Sequence, residues 1–312
     1  MGVLASSKLA FIFPGQGSQC VGMGKDLADN YQRAADIFSR ADKTLGFSIS
    51  DFCFNGPEED LKLTINTQPA LYTTSAAAFE VARELGLTPS FTAGHSVGEY
   101  AALYAAGAFE FEDGLRLVRK RAELMQSEAE KNPGTMAAVL GLTPDQAAEA
   151  VEKAADAGVV VAANFNSPIQ TVISGEEAAV KRASEIAAET GAKRVVPLNV
   201  SGAFHSPLMA GAAEELRAVL NEYGVSDAAV PVVANFTADF ETCTAEIKSN
   251  LADQITGSVR WVQSIQKMLD AGAEVLIELG SGSVLAGLVK RISRDVQVYS
   301  AGDRASFDEM LS

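Results

Sequence analysis

The run Phe91–Glu99, FTAGHSVGE, constrains this chain more than any other. An apolar strand candidate, Phe91–Gly94, runs into Gly94-His95-Ser96-Val97-Gly98, which fits G-x-S-x-G, and a helical stretch starting near Val97 continues through GEYAALYAAG. Strand, sharp turn and helix in that order form the context in which this pattern presents a serine hydroxyl over the end of a sheet. The hydroxyl then sits at a helix N-terminus, where backbone N–H groups and the dipole stabilise developing negative charge. Such an elbow belongs to an α/β fold with a mainly parallel sheet. The same alternation recurs elsewhere: Leu9–Phe13 reads as a strand before the Gly-rich loop Pro14–Gly22, and Glu274–Leu279 reads as a strand closed by GSGS and the helix VLAGLVKRI.

The middle of the chain follows another rhythm. Met136–Leu142 is an apolar strand candidate, and TPDQAAEAVEKAADAG follows with Thr143 as N-cap, Pro144 at the first helical position, Gln146 completing a capping box and Gly158 as the stop. Two strand runs, VVVAAN and QTVIS, are separated by FNSPI. A second helix, GEEAAVKRASEIAAET, has Ser174 and Glu177 at capping-box spacing, and KRVVPLNV closes the unit. The order β-α-β-β-α-β is the ferredoxin-like pattern. The expected architecture is therefore an α/β-hydrolase-like large domain (residues 1–132 and 201–312) carrying an inserted ferredoxin-like small domain (133–200).

With 312 residues, 47% of them hydrophobic, the chain can bury a large core. Its formal net charge of −15 argues against nucleic acid or an anionic membrane as partner, because phosphate contacts need a basic surface. The three cysteines, Cys20, Cys53 and Cys243, are far apart and odd in number. That fits reduced thiols in a cytoplasmic setting better than a disulfide framework or a zinc site, and no metal is expected. The longest uncharged runs, Leu63–Phe79 and Ala157–Gly175, are broken by polar residues and Pro, so neither reads as a membrane span. The start, MGVLASSKLAFIF, is too short and too weakly basic for a signal peptide. MGVLAS fits the loose myristoylation pattern, which is common by chance.

A serine nucleophile needs a general base, normally histidine. The chain has only two histidines. His95 directly precedes Ser96, and neighbouring side chains in such a turn diverge, which leaves His205, in SGAFHSP, as the candidate base. A triad would add an acidic residue to orient the imidazole. Many Asp and Glu residues lie between Ser96 and His205, but most fall on solvated helix faces and none stands out.

Several longer runs carry a resemblance. FPGQGSQ (Phe13–Gln19), GHSVGEYAAL (Gly94–Leu103), Arg121 followed by AELMQ, NFNSPIQTVISG (Asn164–Gly175), AFHSPLM (Ala203–Met209), PVVANFTA (Pro231–Ala238), VRW (Val259–Trp261) and GLVKRI (Gly287–Ile292) together resemble the malonyl-CoA:acyl carrier protein transacylases of fatty-acid and polyketide synthesis. The resemblance implies a ping-pong reaction. Ser96, its proton taken by His205, attacks the malonyl-CoA thioester, and the phosphopantetheine thiol of acyl carrier protein collects the malonyl group. It places the oxyanion hole at the backbone N–H groups of Gln16 and Val97, and makes the backbone carbonyl of Gln254 the orienter of His205. Gly15 and Gly17 would let the Gln16 backbone approach the nucleophile. A phosphate loop of the G-x-G-x-x-G type fails here because Cys20 stands where the third glycine is needed.

The resemblance also selects Arg121 from the charged cluster RLVRKR. A malonyl group carries a carboxylate, and arginine offers it a bidentate, permanently charged fork. Val97 and Phe204 are connected by family pattern with malonyl over methylmalonyl, and Asn166 and Gln170 with the mouth of the site. No cofactor is implied, since malonyl-CoA is a substrate and the phosphopantetheine belongs to the carrier. An acidic carrier meeting an acidic chain would need a local basic patch, with Lys193, Arg194, Lys290, Arg291 and Arg294 as candidates. The chain is expected to act as a monomer. A stand-alone polyketide acyltransferase shares this chemistry with another client. A serine hydrolase or thioesterase shares the elbow but has no need of Arg121 and usually brings an Asp or Glu to the triad.

Overall fold

The computed structural model describes residues 7–312; Met1–Ser6, and with them the MGVLAS pattern, lie outside the described residues. Among these residues the strands are β1 (Leu9–Phe13), β2 (Phe91–Gly94), β3 (Thr135–Leu140), β4 (Val160–Ser167), β5 (Gln170–Gly175), β6 (Arg194–Pro197), β7 (Val232–Val233), β8 (Phe240–Glu241), β9 (Val275–Leu279) and β10 (Gln297–Ala301). They form a six-stranded sheet in the order β10-β9-β1-β2-β7-β8 and a four-stranded sheet in the order β4-β5-β3-β6. In the large sheet every pairing is parallel except β7 with β8. The small sheet is antiparallel throughout. The chain is thus a mixed α/β protein with a largely parallel sheet and a separate antiparallel one.

β1 and β9 read LAFIF and VLIEL and are buried at every position, as strands covered on both faces must be. One face packs on a helix the sequence reading did not single out, Thr64–Glu84. Its residues from Thr67 to Ala82 are all buried, so it shows little amphipathic periodicity and the uncharged run beginning at Leu63 becomes a core helix. It packs against the helices Gln32–Leu45 and Phe111–Lys131. No helix among the described residues is long and apolar enough to cross a membrane.

In the small sheet the side chains alternate between two cores. Ala137, Val139 and Ile173 pack under the helices Pro144–Lys153 and Glu177–Glu189. Met136, Ala138 and Val172 face the other way and join the core of the large unit. The Thr143–Gln146 capping box forms as the spacing predicts. The Ser174–Glu177 box does not: Ser174 is the last-but-one residue of β5, paired with Met136 and Val161, and the second helix is capped at Glu176 without a side-chain bond. FNSPI is also shorter as a loop than its composition suggests. β4 continues through Phe165–Ser167 by way of two irregularities in its pairing with β5. That extension is held from outside, because Phe165 N–H donates to Val259 O (2.9 Å) and Val259 N–H to Ala163 O (2.8 Å). Those two bonds tie the small sheet to the large unit beside the elbow.

Candidate active site

β1 and β2 end side by side, and both of the loops that leave them turn over the same edge of the sheet. The first carries Gln16 and the second Ser96. His95 N–H donates to Phe13 O (3.0 Å), which locks the two loops together. The packing there leaves no room for side chains: a Cβ on Gly98 would run into Phe13 O, and one on Gly15 into His95 O. Such contacts explain Gly15, Gly98 and also Gly94, whose Cβ would meet the Gly98 backbone, whereas Gly17 is needed for its φ of 105°. Ser96 itself sits at φ 52°, a left-handed conformation that a non-glycine residue holds only when its surroundings impose it.

Asn235, just beyond β7, does the imposing. Its Oδ1 accepts from Ser96 N–H (2.7 Å) and its Nδ2 donates to Gly94 O (2.6 Å), spanning the turn from one side to the other. PVVANFTA belonged to the sequence resemblance, but nothing in its composition distinguished Asn235 as the clamp.

Ser96 Oγ lies 2.8 Å from His205 Nε2, and His205 Nδ1 lies 2.8 Å from the backbone oxygen of Gln254. A carbonyl can only accept, so Nδ1 carries the hydrogen and Nε2 is the free base facing the serine. Gln254 follows the last turn of the helix Thr244–Asp253, where carbonyls lack partners within the helix. The negative end of that helix thus points at the imidazole and favours its protonated form. No carboxylate is needed as a third member. His205 is also left-handed, at φ 57°, and the next residue, Ser206, caps the short turn Pro207–Met209 that fixes the segment. Burial first, and the positive charge of Arg121 second, push the His205 pKa down to about 3, so the resting ring is neutral.

Arg121, on the helix Phe111–Lys131, is 1% exposed and has no carboxylate partner. Its Nη1 donates to Gln68 Oε1 (2.7 Å), and its Nη2 donates to Gln254 Oε1 (2.9 Å) and to Ser96 Oγ (3.1 Å). Its guanidinium carbon lies 5.8 Å from the centre of the Tyr100 ring, and Nε is buried without a partner. A buried guanidinium held by neutral oxygens beside a serine hydroxyl has the make-up of an anion site. Gln68, on the buried helix Thr64–Glu84, carried no recognisable signal in the sequence.

The cleft above Ser96 is lined by Gln16, Val97, Phe204 and His205 on the large unit and by Met136 and Asn164 on the small sheet. The N–H groups of Gln16 and Val97 take part in none of the backbone hydrogen bonds found among the described residues. Asn166 is buried one residue behind the cleft wall: its Oδ1 lies 2.8 Å from Nε2 of His95, which lines the cleft together with Asn164. The two asparagines are two residues apart, but the irregular register of β4 decides which of them faces the site. His95, occupied by Asn166 and edge-on to Trp261, turns away from Ser96. Gln170 accepts from Arg291 Nη1 at the surface (3.2 Å). Among the described residues no cluster of His, Cys, Asp or Glu has the make-up of a metal site.

The acyl transferase domain family matches residues 10–303. The chain is 48% identical to the malonyl CoA-acyl carrier protein transacylase of Bacillus subtilis over 298 residues, 95% of this chain and 94% of that protein. It superposes with a TM-score of 0.94 on an acyl carrier protein S-malonyltransferase from Vibrio cholerae, at 42% identity, covering 97% of this chain and 100% of the other. A malonyl-transacylase solved in complex with its holo type II PKS acyl-carrier protein superposes with a TM-score of 0.95, at 39% identity over 98% of this chain and 99% of that one.

Proposed function

This chain belongs to the acyl transferase domain family, and from that premise we propose that it moves a malonyl group from malonyl-CoA to the phosphopantetheine thiol of acyl carrier protein through a malonyl-serine intermediate. The observation that carries the reading is the buried Arg121, unpaired by any carboxylate and 3.1 Å from Ser96 Oγ. A hydrolase acting on neutral esters has no use for such a charge.

Ser96 Oγ attacks the thioester carbonyl carbon while His205 Nε2 takes its proton. The N–H groups of Gln16 and Val97 stabilise the oxyanion. Collapse breaks the carbon–sulfur bond, and the protonated His205 returns the proton to the departing CoA sulfur. The carrier thiol then gives its proton to His205 and attacks the ester, and Ser96 recovers a proton as the acyl group leaves. Arg121 holds the malonyl carboxylate in both halves. Its charge is, after burial, the largest of the causes that weaken His205 as a base, so a carboxylate seated on it also makes His205 more basic. Phe204 narrows the room beside the α-carbon.

The strand order β4-β5-β3-β6 with two helices on one face supports the ferredoxin-like reading of the insertion at about 133–200, and the parallel order around β1 with a serine elbow supports the hydrolase-like reading of the remainder. The relative solved with a polyketide carrier favours one second reading, in which the carrier served is a polyketide one. The functional test is to follow malonyl-CoA consumption with and without a phosphopantetheinylated carrier. Transfer predicts consumption that depends on the carrier and ends as malonyl-carrier; equal consumption without it would make the chain a hydrolase.

A further inference from the structure

Glu99 closes the elbow, yet the reaction above does not use it. It is completely buried on the first turn of the helix Gly98–Ala105. Its Oε2 accepts twice, from Asn235 N–H (2.8 Å) and from Gln254 Nε2 (2.8 Å), while its Oε1 has no partner among the described residues. Gln254 is therefore held at three points. Its backbone oxygen orients His205, its Oε1 accepts from Arg121, and its Nε2 donates to Glu99 and to Ser96 O (3.1 Å).

We propose that Glu99 is a positioning residue which, kept as a neutral carboxylic acid, fixes the Gln254 amide with its oxygen on Arg121 and leaves the charge of Arg121 to the acyl carboxylate. The Gln254 amide bridges Glu99 and Arg121 directly, and it is uncharged. An ionised Glu99 would give the guanidinium a permanent counter-ion across that link and compete with the substrate for it. A buried carboxylate oxygen without a donor is also far more costly when charged than when neutral.

The surroundings favour the neutral form. Burial first, and the neighbouring carboxyl of Glu241 on β8 second, push the Glu99 pKa up to about 8; the bonds from Asn235 and Gln254, and Arg121 on the helix Phe111–Lys131, act in the other direction. Glu241 is itself buried, bonded through Oε2 to Asn250 Nδ2, with an unpartnered Oε1 and a pKa pushed up to about 7. Tyr100, next in sequence and facing Arg121, keeps its proton because burial raises it. His205 stays neutral for the reasons given above.

The inference rests on the malonyl-transfer reading and adds a pH signature to it. Below its pKa Glu99 is neutral and Arg121 is free; above it the carboxylate forms and malonyl binding weakens. KM for malonyl-CoA in transfer to a holo carrier is measured across this range, beside the inhibition constant of desulfo-CoA, which lacks the acyl group. In the wild type KM rises about tenfold between about pH 7 and about pH 9, while the desulfo-CoA constant stays level. Glu99→Gln keeps the accepting oxygen but cannot ionise, so its KM stays level too. Glu99→Ala frees the amide and has a raised KM at every pH; should it fail to fold, the wild type and Glu99→Gln decide alone. Identical malonyl profiles in those two, or a parallel rise for desulfo-CoA, would overturn the proposal. Absence of malonyl transfer at every pH would instead overturn the reading it rests on.

Discussion

Replacing Arg121 by methionine removes the guanidinium head but keeps a flexible stem against Tyr100. The head makes three donations, to Gln68, Gln254 and Ser96, and only the last touches the proposed nucleophile. For an acyl group without a carboxylate, the loss is therefore one charge-assisted bond to Ser96 Oγ, about 1.5–3 kcal/mol. It is partly offset, because removing the positive charge lets His205 become a stronger base. For malonyl, the buried carboxylate also loses its counter-ion, a further ~3–5 kcal/mol. Converted to rates, kcat/KM for malonyl-CoA falls by about 10³-fold or more, against about tenfold for acetyl-CoA. The assay is transfer to holo carrier from each donor, read as the ratio of the two kcat/KM values. Losses of equal size for both donors would refute the reasoning, since Arg121 would then support the serine and not the carboxylate.

Gly98→Ala should abolish acyl transfer and lower the melting temperature, because the added methyl meets Phe13 O and backbone must shift; an active, normally folded variant would contradict the packing account. Asn235→Leu leaves Ser96 N–H and Gly94 O without partners, which costs about 1–3 kcal/mol each. It should appear chiefly as a fall in kcat of about 10²-fold with little change in KM, and a change confined to KM would count against the clamp. Glu278 is fully buried and bonded to Leu285 and Ala286 N–H, and burial raises its pKa to about 7. A raised acid is neutral in both states below its unfolded pKa, and the folded state loses ground as pH rises from there to the folded value. Stability should fall by on the order of 3 kcal/mol between about pH 4.5 and about pH 7, and Glu278→Gln should flatten that slope in denaturant titrations.

What could be read from the sequence was what is local. The elbow at Gly94–Gly98, the Thr143 capping box and the strands Leu9–Phe13 and Phe91–Gly94 announce themselves within a few residues, because turn sterics and capping depend on near neighbours. His205 emerged by counting, as the only histidine besides His95. Asn235, Gln68 and Glu99 did not emerge, because each acts on a partner at least 50 residues away and is a common residue type in an ordinary local setting. Ser174 misled for the same reason: its spacing to Glu177 suits a cap, but pairing with Met136 and Val161 claims it for β5. The core helix Thr64–Glu84 was hidden because burial on every side erases the periodicity by which helices are recognised.

The central claim is that Ser96 carries the malonyl group between two thiols. Mixing the protein with malonyl-CoA and weighing it intact should show one malonyl adduct, located by peptide mapping at Ser96, and addition of holo carrier should remove the adduct and yield malonyl-carrier. Ser96→Ala should show no adduct. A malonyl adduct on Ser96→Ala, or an adduct on the wild type that water discharges as fast as the carrier does, would contradict it.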